Sequence, residues 1–110
     1  NKEDNFGTSP LIKLCSGNNE NMIIYLIRHG ADVNKENRYG ETPLIVACAT
    51  GKENIVKYLI ELGTDINKEN KYGKTPLILE CERGNEEIVK CLIDNGADIN
   101  KENQDGDTPL

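Results

Sequence analysis

Apolar residues recur along this chain in short helical stripes separated by polar, turn-rich stretches. In the middle of the chain Leu44, Ala47 and Cys48 fall at i, i+3 and i+4, one apolar face of a short helix. Thr42-Pro43 marks its start: the threonine oxygen accepts from an orphan backbone N–H, and proline at the first helical position lacks the N–H that would go unpaired. Gly51 closes it, because glycine accepts the left-handed conformation that ends helices. Ile55, Val56, Leu59 and Ile60 form the buried face of a second helix, which Gly63 stops. Neither helix reaches the ~12 to 15 residues at which an isolated helix becomes marginally stable in water, so both depend on packing. The polar run Asp65-Ile66-Asn67-Lys68-Glu69-Asn70 with Tyr72-Gly73 predicts an extended, hairpin-like finger leading to the next Thr-Pro start.

This pattern repeats every 33 residues. Gly7, Gly40, Gly73 and Gly106 share one phase, as do Pro10, Pro43, Pro76 and Pro109, and Leu11, Leu44, Leu77 and Leu110. Asn34 to Ile66 and Asn67 to Ile99 are identical at 21 of 33 positions. Such periodicity signals stacked supersecondary units rather than one globular core. The expected organisation is one array with units 1–33, 34–66, 67–99 and the start of a fourth at 100–110. The fold class is an all-α solenoid of stacked antiparallel helix pairs joined by β-hairpin-like fingers.

The unit closely resembles the ankyrin repeat over the whole chain. The resemblance is carried by Gly40-Glu41-Thr42-Pro43-Leu44, Ile55-Val56-Lys57-Tyr58-Leu59-Ile60 and Gly63-Thr64-Asp65-Ile66-Asn67, and by Gly30-Ala31-Asp32-Val33-Asn34 and Gly96-Ala97-Asp98-Ile99-Asn100. The family usually has histidine after Pro-Leu, bonded to the threonine. Ile12, Ile45 and Ile78 stand there instead, so helix entry should rest on capping and apolar packing. Ser9 keeps a capping hydroxyl in the first unit. Asn18 replaces the central glycine, where it is expected to adopt the left-handed conformation that asparagine tolerates. The chain opens in a finger, closes inside a helix and shows no polar capping repeat, which arrays normally carry; it reads as an excerpt from a longer array. Leu77, Ile88, Leu92 and Ile93 are expected to form an uncovered end for end-to-end self-association.

The net charge of -6 argues against nonspecific nucleic-acid binding, which needs neutralised phosphates, and against anionic membranes. No apolar run approaches the ~20 residues of a spanning helix. Cys15, Cys48 and Cys81 are equivalent positions of successive units. Helices packed side by side lie ~8 to 10 Å apart, beyond the ~7 Å that a disulfide spans between alpha carbons. Reduced, buried thiols are expected, with Cys91 in the slot of Tyr25 and Tyr58 more exposed, and the compartment is then cytosol or nucleus. No metal or cofactor site is expected, since the cysteines lack zinc-ligand spacing and histidine companions. Nor is catalysis: His29, the single histidine, sits near a helix end where a cation is tolerated. The ladders Lys2, Lys35, Lys68, Lys101 and Glu3, Glu36, Glu69, Glu102 solvate a surface and can pair weakly between units. Glu80 is dissonant, because Leu14 and Ala47 predict burial at its position and an unpaired buried carboxylate is disfavoured; Arg83 at i+3 is its expected partner.

Function is sought where the units differ. The resemblance implies a concave surface of fingers and first helices, on which Phe6, Arg38, Tyr39, Glu41, Thr50, Lys71, Tyr72, Lys74, Glu82 and Arg83 are the expected partner-binding residues. Phe6, Tyr39 and Tyr72 form a row of aromatics beside Arg38 and Lys71, and tyrosine and arginine are typical interface anchors. The other reading is that the rings merely cover the glycine turns. The expected function is noncatalytic binding of a protein or peptide. Alternatives are substrate positioning for a larger enzyme, and hydroxylation of Asn34, Asn67 and Asn100, which follow Leu26, Leu59 and Leu92 at the spacing seen in ankyrin repeats modified on the hairpin asparagine.

Overall fold

A computed structural model describes residues 9–100, and they form six helices: α1 Pro10–Cys15, α2 Glu20–Arg28, α3 Pro43–Thr50, α4 Glu53–Glu61, α5 Pro76–Arg83 and α6 Glu86–Asp94. Each first helix begins with proline after a hydroxyl residue. Ser9 Oγ accepts from Ile12 N at 3.3 Å, Thr42 Oγ1 from Ile45 N at 3.2 Å and Thr75 Oγ1 from Ile78 N at 3.3 Å. Ile12, Ile45 and Ile78 are themselves buried. Capping and apolar packing together therefore fix the helix entry, as the absence of histidine there predicts. Asn19 and Asn85 cap α2 and α6 in the same way, whereas Lys52 offers α4 no side-chain cap.

Helix termination differs between units. Gly51 and Gly84 take φ of 73° and 75° after α3 and α5. The expectation for Asn18 does not hold: no non-glycine residue among those described has positive φ. Helix α1 stops at Cys15, two residues short of its counterparts, because Ser16 caps it in right-handed conformation and turns its hydroxyl back onto Lys13 O at 2.8 Å. The chain thus leaves the helix before reaching Asn18, and no left-handed residue is needed there.

Helices α1, α3 and α5 stack side by side, each with α2, α4 or α6 against it, and α4 packs on α6. Leu11, Cys15, Ile23, Leu44, Ala47, Cys48, Val56, Leu59, Leu77, Ile88 and Leu92 form one continuous core through all three pairs. Leu77, Ile88 and Leu92 do not make an open end, since they are spent inside that core; of the four residues expected there only Ile93 remains half-buried.

Among the described residues the fingers contain no strand. Asn37 and Asn70 shape them as turns: Asn37 Oδ1 accepts from Tyr39 N at 2.9 Å and Glu41 N at 3.0 Å, and Asn70 Oδ1 from Tyr72 N at 2.9 Å and Lys74 N at 3.1 Å. One hairpin-type backbone bond closes each, Asn37 N to Glu41 O and Asn70 N to Lys74 O. A second set of turns links successive units, because Asn34 Oδ1 accepts from Asp65 N at 3.1 Å and Asn67 Oδ1 from Asp98 N at 2.8 Å.

All four cysteines are free. Burial pushes the Cys15 thiol up to about 12 and raises Cys48 well above its ordinary value, so neither supplies the thiolate that reacts. Cys81 and Cys91 are half-buried, and Cys81 is raised by burial and by Glu80 and Glu82. Cys91 is therefore expected to react first with a maleimide at pH 7.5, Cys81 more slowly, and Cys15 and Cys48 only on unfolding. Mass spectrometry of a labelling time course checks the order, and early labelling of Cys48 would contradict it.

Candidate functional site

The finger tips lie against one another in register. Lys71 N donates to Tyr39 O at 2.8 Å, tying the second described finger to the first. Gly40 makes the approach possible: its φ is 71°, and a β-carbon there would stand 3.3 Å from the Asn70 alpha carbon. The same contact places the Lys71 ammonium 4.4 Å from the centre of the Tyr39 ring and 5.0 Å from that of Tyr72. A cation between two ring faces is attracted by both quadrupoles. Tyr72 nevertheless keeps 54% of its surface exposed, and Arg38 is exposed on the same finger as Tyr39. Arg38, Tyr39, Lys71 and Tyr72 are thus brought together.

The other expected residues have local duties. Glu41 accepts from Asn37 Nδ2 at 2.9 Å and so stiffens its finger. Lys74 bridges to Glu82 with both oxygens at 2.9 to 3.0 Å, joining finger to first helix. The Thr50 hydroxyl is shared among backbone carbonyls, Val46 O at 2.8 Å and, across the stack, Cys15 O at 3.3 Å. Arg83 lies over Gly51, where a β-carbon would come within 2.2 Å of its guanidinium, and reaches Ala49 O at 3.4 Å. Thr50 and Arg83 are therefore bound into contacts between units. Phe6 lies outside the described residues.

Asn37 and Asn70 were not singled out from sequence as contributors. They hold the tyrosines by their backbone, and their recurrence three residues before each glycine marked them.

Glu80 is buried to 1% exposure, and its Oε1 finds no hydrogen-bond partner. Arg83 Nε is the expected neighbour but stands 3.8 Å away. Burial raises the Glu80 carboxyl above its ordinary range; the Cys48 thiol and Arg83 partly oppose this and Glu53 adds to it.

The outer helices present different chemistry. An open groove along α4 and α6 is lined by Lys57, Glu87, Lys90, Cys91, Asp94 and Asn95, with Lys57 paired to Glu87. His29 ends α2, its ring stacked on Tyr25 at 4.1 Å and its Nδ1 2.8 Å from Tyr25 O. Lys68 and Glu36 pair at 2.9 Å, the weak ladder contact expected between units, worth under ~1 kcal/mol at an exposed site. Among the described residues no group of three or more His, Cys, Asp or Glu side chains is placed to hold a metal, and no helix is long and apolar enough to cross a membrane.

A family model described as ankyrin repeats, three copies, matches residues 1–70 and again residues 62–110. A search of curated proteins gave no match. Repeats of this kind are generally modules of protein–protein interaction. The two matches together run the length of the chain and through every helix pair described above, and the chain belongs to the ankyrin-repeat family.

Proposed function

We propose that this chain is a noncatalytic binding array, with units at 1–33, 34–66, 67–99 and 100–110, that holds a protein or peptide on its finger and first-helix side. The observation that carries this reading is the Tyr39–Lys71–Tyr72 stack. Aromatic surface is held in place there by a backbone bond between fingers, with the Tyr72 ring exposed and Tyr39 half-buried. Rings already fixed lose little freedom on binding, so their contact area is converted into affinity more fully than that of mobile side chains. Free thiols support a reducing compartment, cytosol or nucleus. Neither alternative, substrate positioning for an enzyme or hydroxylation of Asn34, Asn67 and Asn100, has an observation in its favour; the Asn34 and Asn67 amides are occupied with the turn of the next unit.

The test is selection of binders from a random twelve-residue peptide library on the whole chain, followed by titration of the recovered peptides against Tyr39→Ala/Tyr72→Ala. Far-UV circular dichroism first confirms that the variant keeps its helices. Losing both rings is expected to weaken binding by roughly a hundredfold, since anchor residues each contribute on the order of 1 to 2 kcal/mol or more. Peptides that bind parent and variant alike would place recognition elsewhere.

A further inference from the structure

Every asparagine of the chain but one is followed by a residue that carries a side chain; Asn95 is followed by Gly96. The difference is chemical. An asparagine carboxamide can be attacked by the backbone nitrogen of the next residue, and a side chain on that residue hinders the approach. Gly96 offers no hindrance, since a β-carbon there would meet nothing within 4 Å. Both residues are exposed, Asn95 as the C-cap of α6 and Gly96 in left-handed conformation at φ 101°. In the same phase His29 precedes Gly30 and Leu62 precedes Gly63, so the first and second units lack the reactive pair.

In the folded chain both reacting groups are held at the helix end. Asn95 Nδ2 donates to Cys91 O at 2.8 Å, and Gly96 N to Ile93 O at 3.1 Å. Attack therefore waits for the last turn of α6 to open. Opening costs least where few apolar contacts are buried and the backbone bonds face solvent, and Asp94, Asn95 and Gly96 are exposed in succession. The seam beside this turn makes the step consequential. Asn67 grips the third unit at two points: its Nδ2 donates to Gly96 O at 3.2 Å, and its Oδ1 accepts from Asp98 N at 2.8 Å. One of those points is the carbonyl of the attacking residue itself.

We propose that Asn95 is a site of spontaneous deamidation, gated by opening of the α6 end, and that its conversion loosens the seam between the second and third units. The Gly96 nitrogen bonds to Asn95 Cγ and gives up its proton, the Cγ–Nδ2 bond breaks and ammonia leaves, closing a five-membered imide. Water then opens the imide. Cleavage at Cγ leaves aspartate, and cleavage at the backbone carbonyl leaves isoaspartate, whose main chain runs through Cγ. Either product puts a carboxylate at the negative end of α6, where anions are disfavoured, and takes from Cys91 O its side-chain donor. Isoaspartate also lengthens the main chain by one carbon just before Gly96, which carries the Gly96 carbonyl away from Asn67.

The test is incubation of the whole chain at pH 8 and 37 °C, with peptide mapping by mass spectrometry at intervals and a parallel sample in urea. Conversion of the folded chain is expected at Asn95 before any other asparagine. Hydrogen exchange of the converted chain should then show the Asp98 N–H opening on the order of tenfold faster than before, with the Asp65 N–H of the preceding seam unchanged. Asn95→His, with the residue that the first unit carries at this phase, should pass through the same incubation with both N–H groups unchanged. Conversion of Asn95 in urea alone would show that the folded helix end seals the step and would overturn the site, as would conversion spread evenly over the asparagines. An unchanged Asp98 N–H after full conversion would overturn the loosening of the seam.

Discussion

In urea melts at pH 7, Glu80→Leu is expected to unfold at a higher midpoint than the parent, with a gain of about 1 to 3 kcal/mol. The carboxyl is 1% exposed, its Oε1 has no hydrogen-bond partner and its ion pair with Arg83 Nε is long at 3.8 Å, so desolvation is not repaid by a close contact. Leucine is the residue at the matching position 14, inside helix α1. The pH dependence has a definite sign. A carboxyl raised in the folded state binds its proton more tightly folded than unfolded, so stability falls as pH rises from the ordinary carboxylate value through the raised one. The leucine variant lacks that loss. Its advantage over the parent should therefore be smaller at pH 4 than at pH 7. Equal gains at both pH values would mean that the benefit is packing alone, and a loss at pH 7 would show that Arg83 and Cys48 satisfy the carboxylate after all.

Truncating Leu59 to alanine should have the largest effect of any single change, a loss of about 2 to 5 kcal/mol from a total that for a domain of this size is ~5 to 15. Leu59 is fully buried on α4, the middle of the outer row. Stability in stacked repeats is approximately intrinsic unit stability plus nearest-neighbour interfaces. Weakening the middle unit therefore endangers two of the described interfaces, α1 on α3 and α3 on α5, whereas Leu92→Ala on α6 endangers one of them. Urea unfolding followed by circular dichroism should show the greater midpoint drop for Leu59→Ala. The reverse order would mean that the three pairs do not depend on one another through the centre.

The helix pairs were legible from sequence because the same few devices recur in phase: a hydroxyl cap, proline, an apolar stripe and a glycine stop. Glu80 was legible as dissonant for the same reason, since its phase disagrees with its polarity. Asn18 was misread because phase alone assumes equal helix lengths; a single local bond, Ser16 to Lys13 O, shortens α1 and removes the need for a left-handed residue. Leu77, Ile88 and Leu92, expected on an uncovered end, are buried, because periodicity assigns a residue to an apolar stripe without saying which neighbour covers it. At the fingers the tyrosine row could be seen in the sequence, but not Lys71 between the rings. That contact depends on the offset by which one finger overlaps the next, set by Lys71 N on Tyr39 O. Likewise nothing in the spacing of Thr50 and Arg83 indicated that both are spent on the neighbouring unit.

Asn34 and Asn67 each reach forward to an aspartate N–H one unit ahead, and the two bonds are the same bond made twice. Every seam of this kind carries an acceptor on one lip and its donor on the other. A copied stretch of 33 residues spliced in at a seam would meet a matching lip on both sides, with no compensating change elsewhere. The molecule is thus tolerant of gaining or losing whole units in a way that it is not tolerant of gaining or losing one residue within a unit, which would disturb the acceptor–donor pair that spans it. Length, for such a chain, is an inherited variable that can change in steps of 33 without the fold being reinvented.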